Sequence, residues 1–148
     1  MKPAFVWVKS RVMIYSTEDA DRISNMFAEL TGTDEYTEEI AEGELGNITR
    51  ILEVSLTKKK DIDGLFERLG EDVINWISNE IEERIDEDCS FFFRLDKQDA
   101  MSGKYRIGAG GDVISFICKV ASYPAKRELA IDVLKDYFNS LPSSEHRA

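Results

Sequence analysis

The chain has 148 residues, 43% of them apolar and 32% charged, with a formal net charge of −10. This length and apolar content describe one globular domain with a genuine core and exclude a disordered chain. The acidic balance excludes indiscriminate attraction to nucleic acid or anionic lipid, because the long-range field repels phosphate. Any polyanion partner has to be met by a local basic patch. The opening MKPAFVWVKSRVMIY places Lys9 and Arg11 inside its apolar stretch, which is the alternation of a strand and not of a signal peptide or membrane span. Cys89 and Cys118 fall within predicted strands without metal-ligand spacing, so both read as small buried hydrophobes in a reducing cytoplasm.

Residues 5 to 15 separate into two faces, with Val6, Val8, Val12 and Ile14 toward a core and Phe5, Trp7, Lys9, Arg11, Met13 and Tyr15 on the other side. Ser16 or Thr17 is placed to cap a helix carrying Ile23, Met26, Phe27 and Leu30, and Gly32 stands where a left-handed C-terminal residue is wanted. Residues 35 to 42 read as an acidic edge strand, and Glu42 to Asn47 as a turn into a strand from Ile48 to Lys58. Two helical stretches follow, separated at Gly70, the second with Ile74, Ile77, Ile81 and Ile85 on one stripe. Phe91 to Leu95 is a strand, residues 96 to 101 a helical turn, Ile107 to Asp112 a glycine-rich turn and Val113 to Ser122 a long strand. Tyr123-Pro124 is expected to open the last helix, with proline in its first turn and Ala130, Val133, Leu134 and Tyr137 inward. The order predicts an α+β fold: one mainly antiparallel sheet with helices packed on one face. A single domain is expected over 1–141, with a polar C-terminal tail at 142–148.

Catalysis finds little support. The only histidine, His146, lies in that tail, where nothing orients it. Glu82, Glu83, Asp86, Glu87 and Asp88 lack the spacing and glycine of a calcium loop and read as a solvated helix end. Asp96 and Lys97 are adjacent on a strand and point to opposite faces. Gly108, Gly110 and Gly111 do not make a dinucleotide fingerprint, since Val113 replaces the third glycine and a strand follows; a turn at Gly110, Gly111 and Asp112 with positive φ at one of the two glycines is the better reading. No catalytic residue, metal site or cofactor is expected.

The basic residues are more informative. Residues 1 to 88 carry ten Lys/Arg against twenty-two Asp/Glu, whereas residues 89 to 148 carry nine against seven. Arg94, Lys97, Lys104, Arg106, Lys119, Lys126 and Arg127 come from the late segment, and Lys9 and Arg11 lie beside Trp7 on the first strand. Cations interleaved with aromatics on a sheet face can stack unpaired bases and neutralise phosphates. The plainer alternative is that the aromatics are covered by a loop and the cations neutralise neighbouring acids. Composition leaves the two open.

Phe93-Arg94-Leu95-Asp96-Lys97-Gln98, Ala100, Gly103, Gly110-Gly111-Asp112-Val113-Ile114 and Tyr123-Pro124-Ala125-Lys126-Arg127-Glu128, with Thr17-Glu18-Asp19 and Gly46-Asn47 earlier, make a pattern spread over nearly the whole chain. It resembles that of small archaeal proteins described as predicted exosome subunits or RNA-binding proteins, with the fold of ribosomal large-subunit protein five. Two departures stand out: Gly46-Asn47-Ile48 where the family has Gly-Asn-Pro, and Lys58-Lys59-Lys60 where it has arginines, which keeps charge but loses bidentate phosphate geometry. The resemblance implies a non-enzymatic RNA-binding accessory protein, linked to the exosome, RNA processing or ribosome biogenesis, with exosome or ribosomal proteins as further partners and no membrane. Arg94, Lys97, Gln98, Lys104, Arg106, Lys126 and Arg127 are its expected RNA contacts, with Trp7, Lys9 and Arg11 as stacking or secondary contacts. The rival reading is a protein-interaction module whose acidic first half docks a basic partner.

Overall fold

The alternation that opens the chain becomes β1 (Phe5–Tyr15), the middle strand of a five-stranded sheet. The computed structural model describes residues 3–43 and 45–141; the tail expected at 142–148, with His146, lies outside them. After β1 come α1 (Ala20–Thr31), β2 (Thr37–Glu42), β3 (Ile48–Leu56), α2 (Lys59–Leu69), α3 (Glu71–Asn79), α4 (Ile81–Arg84), β4 (Ser90–Asp96), α5 (Lys97–Met101), β5 (Val113–Val120) and α6 (Arg127–Ser140). The strand order is β2-β3-β1-β5-β4, with every neighbouring pair antiparallel. This is the expected α+β architecture.

One face of the sheet is core. Val8, Val12 and Ile14, Leu52, Val54 and Leu56, Phe91, Phe93 and Leu95, and Ile114, Phe116, Cys118 and Val120 are all buried. They share a cluster with Ile23, Phe27 and Leu30 of α1, Ile62, Leu65 and Phe66 of α2, and Ala130, Leu134 and Phe138 of α6. Phe93 and Phe116 stack across β4 and β5 with ring centroids 4.6 Å apart, a contact worth about 0.5–1.5 kcal/mol beyond area burial. Both cysteines are free and buried.

Simple alternation fails at the start of β1. The register with β5 shifts between Phe5 and Trp7, and the irregularity exchanges the two expected faces: Phe5 is 4% exposed and Val6 45%. A bulge adds one residue, and one residue turns a side chain to the opposite face. Phe5 then stacks on Phe66, with centroids 5.3 Å apart.

The helix boundaries move for local reasons. The N-cap of α1 is Asp19 and not Ser16 or Thr17; its Oδ1 accepts from Arg22 N at 3.2 Å. Glu18 is occupied just before it, accepting from Tyr15 N through Oε1 at 2.9 Å. Gly32 is left-handed at φ 78°, as expected, and Arg68 satisfies the end of α1 by donating from Nε to Leu30 O at 2.9 Å. The isoleucine stripe is split between α3 and α4, with Ile85 outside both in a bridge to Phe91. Pro124 is not in the first turn of α6, which starts at Arg127; it follows a cis peptide bond in the connection.

The glycine-rich segment is built differently from the expected turn. Neither Gly110 nor Gly111 has positive φ. Asp96 N donates to Arg106 O at 2.8 Å and Gly108 N to Arg94 O at 2.9 Å, so residues 106–108 run along the edge of β4 remote from β5. The chain therefore crosses β4 to reach β5 instead of reversing in a tight hairpin, and the crossing needs no left-handed residue. Gly108 is the constrained glycine: a Cβ there would lie 2.8 Å from Asp96 N and 2.9 Å from the Leu95 carbonyl carbon.

Candidate nucleic-acid interface

The sheet face turned away from the helices presents three short rows. Trp7 stands opposite Lys119, which stands opposite Ser90. Lys9 pairs with Ile117 and, beyond it, Phe92; Arg11 pairs with Ser115 and, beyond it, Arg94. Adjacent strands lie about 4.8 Å apart and alternate residues of one strand about 7 Å apart. Lys9, Arg11 and Arg94 thus share a surface with Trp7 and Phe92. The Lys9 ammonium sits 4.6 Å from the Trp7 ring centroid, a cation–π contact that holds the indole beside positive charge. Phe92 and Ile117 are each 38% exposed. Lys119 Nζ donates to Asp88 O, which fixes it at the start of β4.

Acidic side chains touch this surface on its β3 side. Arg11 Nε lies 3.5 Å from Glu53 Oε2; both groups are solvated, and such a pair contributes at most about 1 kcal/mol and yields readily to a phosphate. The glutamates of β2 lie farther toward the opposite edge of the sheet, beyond β3. Across the three rows from β1, β5 and β4 the outward-facing charges are Lys9, Arg11, Arg94 and Lys119, and Glu53 of the neighbouring β3 meets them only at Arg11.

The late blocks do not form one patch. Lys97 is 0% exposed, and its Nζ lies 2.9 Å from Met13 O, 2.8 Å from Glu18 Oε1 and 2.9 Å from Asp112 Oδ1. It also sits 4.9 Å from the Tyr15 ring centroid. A buried ammonium with three oxygen partners has no donor left for phosphate, so the expected contact at Lys97 is replaced by a structural one. Gln98 Nε2 donates to Asp112 Oδ2 at 2.8 Å, and Asp96 caps α5 by accepting from Asp99 N at 2.9 Å. Burial alone would raise the Asp112 pKa, but hydrogen bonds from Gln98 and Lys97 together with the Lys97 charge bring it below its ordinary value.

Arg127 is likewise committed. Its guanidinium donates to Glu82 O and Ile85 O, satisfying carbonyls at the end of α4. Ile85 bridges Phe91, whereas Lys97 follows the last residue of β4, so the two basic blocks are separated by nearly the length of that strand, about 20 Å. Lys126 is exposed at the first end, and Lys104 and Arg106 are exposed near the second. The interleaved sheet residues Trp7, Lys9, Arg11 and Arg94 come together; Lys97, Gln98 and Arg127 are held by the fold. Phe92 and Lys119 complete the face, and strand alternation beside Arg94 and Phe116 is the signal that marks them.

A family model described as RNA binding matches residues 7–120. The chain belongs to this RNA-binding family. It is 25% identical over 140 residues to the RNA-binding protein PAB1135 of Pyrococcus abyssi, covering 88% of this chain and 91% of that protein. Its structure is similar to that of Mth689, a DUF54 protein from Methanothermobacter thermautotrophicus, with TM-score 0.77, 28% identity and coverage of 91% of this chain and 98% of the other. A UPF0201 protein from Methanococcus jannaschii shares the fold at TM-score 0.57 and 14% identity, covering 87% of this chain and 92% of its own. Among the described residues, no helix is long and apolar enough to cross a membrane.

Proposed function

We propose that this protein binds single-stranded RNA on the open face of its sheet, as a non-enzymatic accessory to RNA processing or ribosome assembly, including work beside the exosome. The observation that carries the binding is the adjacency of Lys9, Arg11 and Arg94 with Trp7 and Phe92 on one uncovered face. Trp7 and Phe92 offer rings for stacking, a contact tolerant of sequence and worth about 1–3 kcal/mol per base. Lys9, Arg11 and Arg94 neutralise the backbone that connects those bases, with Lys104, Arg106 and Lys126 at the periphery. A duplex fits less well, because its bases are already stacked and it presents a shape that needs a longer basic surface. The negative remainder of the molecule limits RNA to this face.

Stacking on Trp7 is directly observable. The chain has two tryptophans, and Trp76 lies on α3 with Arg84 over its ring. In Trp76→Phe, emission reports on Trp7 alone. Titration with single-stranded oligoribonucleotide at low salt is expected to quench that emission saturably, and unchanged emission under conditions where anisotropy shows RNA bound would remove Trp7 from the interface.

A further inference from the structure

A second surface lies on the helical side of the molecule. A cleft of about 710 Å³ runs between α2 and α6, with Phe5, Ile62, Val133 and Tyr137 among its lining residues. The residues that α6 gives it are Leu129, Asp132, Val133, Asp136, Tyr137 and Ser140, spaced so that they form one stripe of the helix. The stripe that α6 buries is a different one, Ala130, Ile131, Leu134 and Phe138. Helix α6 therefore carries a second, partly apolar stripe: Val133 and Tyr137 pack at the margin of the core, and Leu129 is exposed beside them. Helix α2 faces the cleft with Lys59, Asp63 and Glu67, again at one-turn spacing.

The charges around this lining are acidic on balance, with Asp63, Glu67, Asp132 and Asp136 against Lys59. Lys59 is neutralised by Asp63 at 2.6 Å, and Asp63 Oδ1 also accepts from Tyr137 OH at 2.6 Å. Glu67, Asp132 and Asp136 are exposed and form no ion pair among the described residues. Tyr123, 80% exposed, and Leu129, 40% exposed, stand among the cleft residues. A half-buried apolar lining with exposed Tyr123 and Leu129 at its mouth and a carboxylate rim selects an occupant that supplies apolar anchors and positive charge together.

We infer that the cleft between α2 and α6 docks a basic, amphipathic peptide segment of a partner protein. Apolar side chains of that segment enter between Leu129, Val133 and Tyr137, and its lysines or arginines meet Glu67, Asp132 and Asp136, the arrangement of a helix laid in a groove. RNA and anionic lipid are repelled by the same rim, and a second copy of the chain brings a net charge of −10 against it. The cleft is lined from α2, α6, Phe5 and the flanking residues 3–4 and 121–123, and none of Trp7, Lys9, Arg11, Phe92 and Arg94 is among them, so peptide and RNA occupy the protein at once.

The test uses the full chain and three synthetic peptides of equal length: lysine with leucine on one helical face, lysine with serine, and glutamate with leucine. The lysine–leucine peptide is expected to bind best, with chemical-shift changes centred on Leu129, Val133 and Tyr137. Glu67→Gln/Asp132→Asn/Asp136→Asn is expected to weaken it about tenfold, whereas Glu38→Gln/Glu39→Gln/Glu42→Gln, which removes the same charge from β2, leaves it within about twofold. RNA affinity of the cleft variant does not fall. Equal binding of the lysine–leucine and lysine–serine peptides, or equal effects of the two charge-removal variants, would show general attraction of a polycation to an acidic protein and overturn the proposal. Since peptide and RNA are read separately, failure of one reading leaves the other standing.

Discussion

Lys97 Nζ lies 2.9 Å from Asp112 Oδ1, and this ion pair joins the two sequence blocks that look most functional from their residues alone. Together with Met13 O and Glu18 Oε1, it ties the end of β1, the turn into α1, the start of α5 and the approach to β5 into one polar node. Lys97→Met leaves two carboxylates without their shared cation. Breaking a buried pair costs about 3–5 kcal/mol, and because Glu18 and Asp112 keep partial access to water the cost is expected at the lower end, about 3 kcal/mol. Urea denaturation measures it. RNA affinity of the folded variant is expected to stay within about twofold of wild type, which separates this node from the interface.

Asp112 makes the node sensitive to acid. Its folded pKa lies below the ordinary carboxylate range, so its contribution to stability is present above the unfolded value of about 3.9 and is lost as pH falls through the folded value. Gln98→Ala removes one of the hydrogen bonds that lower it. The Asp112 carboxyl is then expected to titrate at higher pH, so that this contribution disappears earlier on acidification; side-chain carbonyl NMR across the acid range follows the group directly.

Gly108 tests the crossing over β4. An alanine methyl would sit 2.8 Å from Asp96 N, a backbone atom with no room to move. Gly108→Ala is expected to cost about 1–3 kcal/mol as an overpacked site. Gly110→Ala and Gly111→Ala, with nothing within 4 Å of the added carbon and no positive φ, are expected to change stability by less than about 0.5 kcal/mol. Thermal unfolding of the three variants ranks them.

These differences show which parts of the molecule are legible in the sequence. Period-two alternation finds β1, β3, β4 and β5 because each buries one face, and the run Ile23, Met26, Phe27 and Leu30 finds α1 for the same reason. Alternation cannot show a bulge, so Phe5 and Val6 exchange faces. Capping chemistry at Ser16, Thr17 and Asp19 is degenerate until tertiary structure decides that Glu18 serves Tyr15 and Lys97. Lys97 is the instructive residue: a lysine beside a glutamine in a basic segment looks solvent-facing, and only the long-range placement of Met13, Glu18 and Asp112 compensates its burial. The cations and aromatics of β1 follow from alternation alone, and their meeting with Arg94 depends on a strand order that no local pattern specifies.

The interface itself is decided by salt. Lys9→Ala/Arg11→Ala/Arg94→Ala is expected to weaken binding of short single-stranded RNAs whatever their sequence, and the slope of log K against log salt is expected to become shallower by about 0.7 for each phosphate that the variant no longer neutralises. Fluorescence anisotropy at several salt concentrations, on protein shown to be folded, gives both numbers, with Lys97→Met as the control that keeps the wild-type slope. A triple variant that binds as tightly as wild type with the same slope would contradict the assignment of RNA to the open face of the sheet.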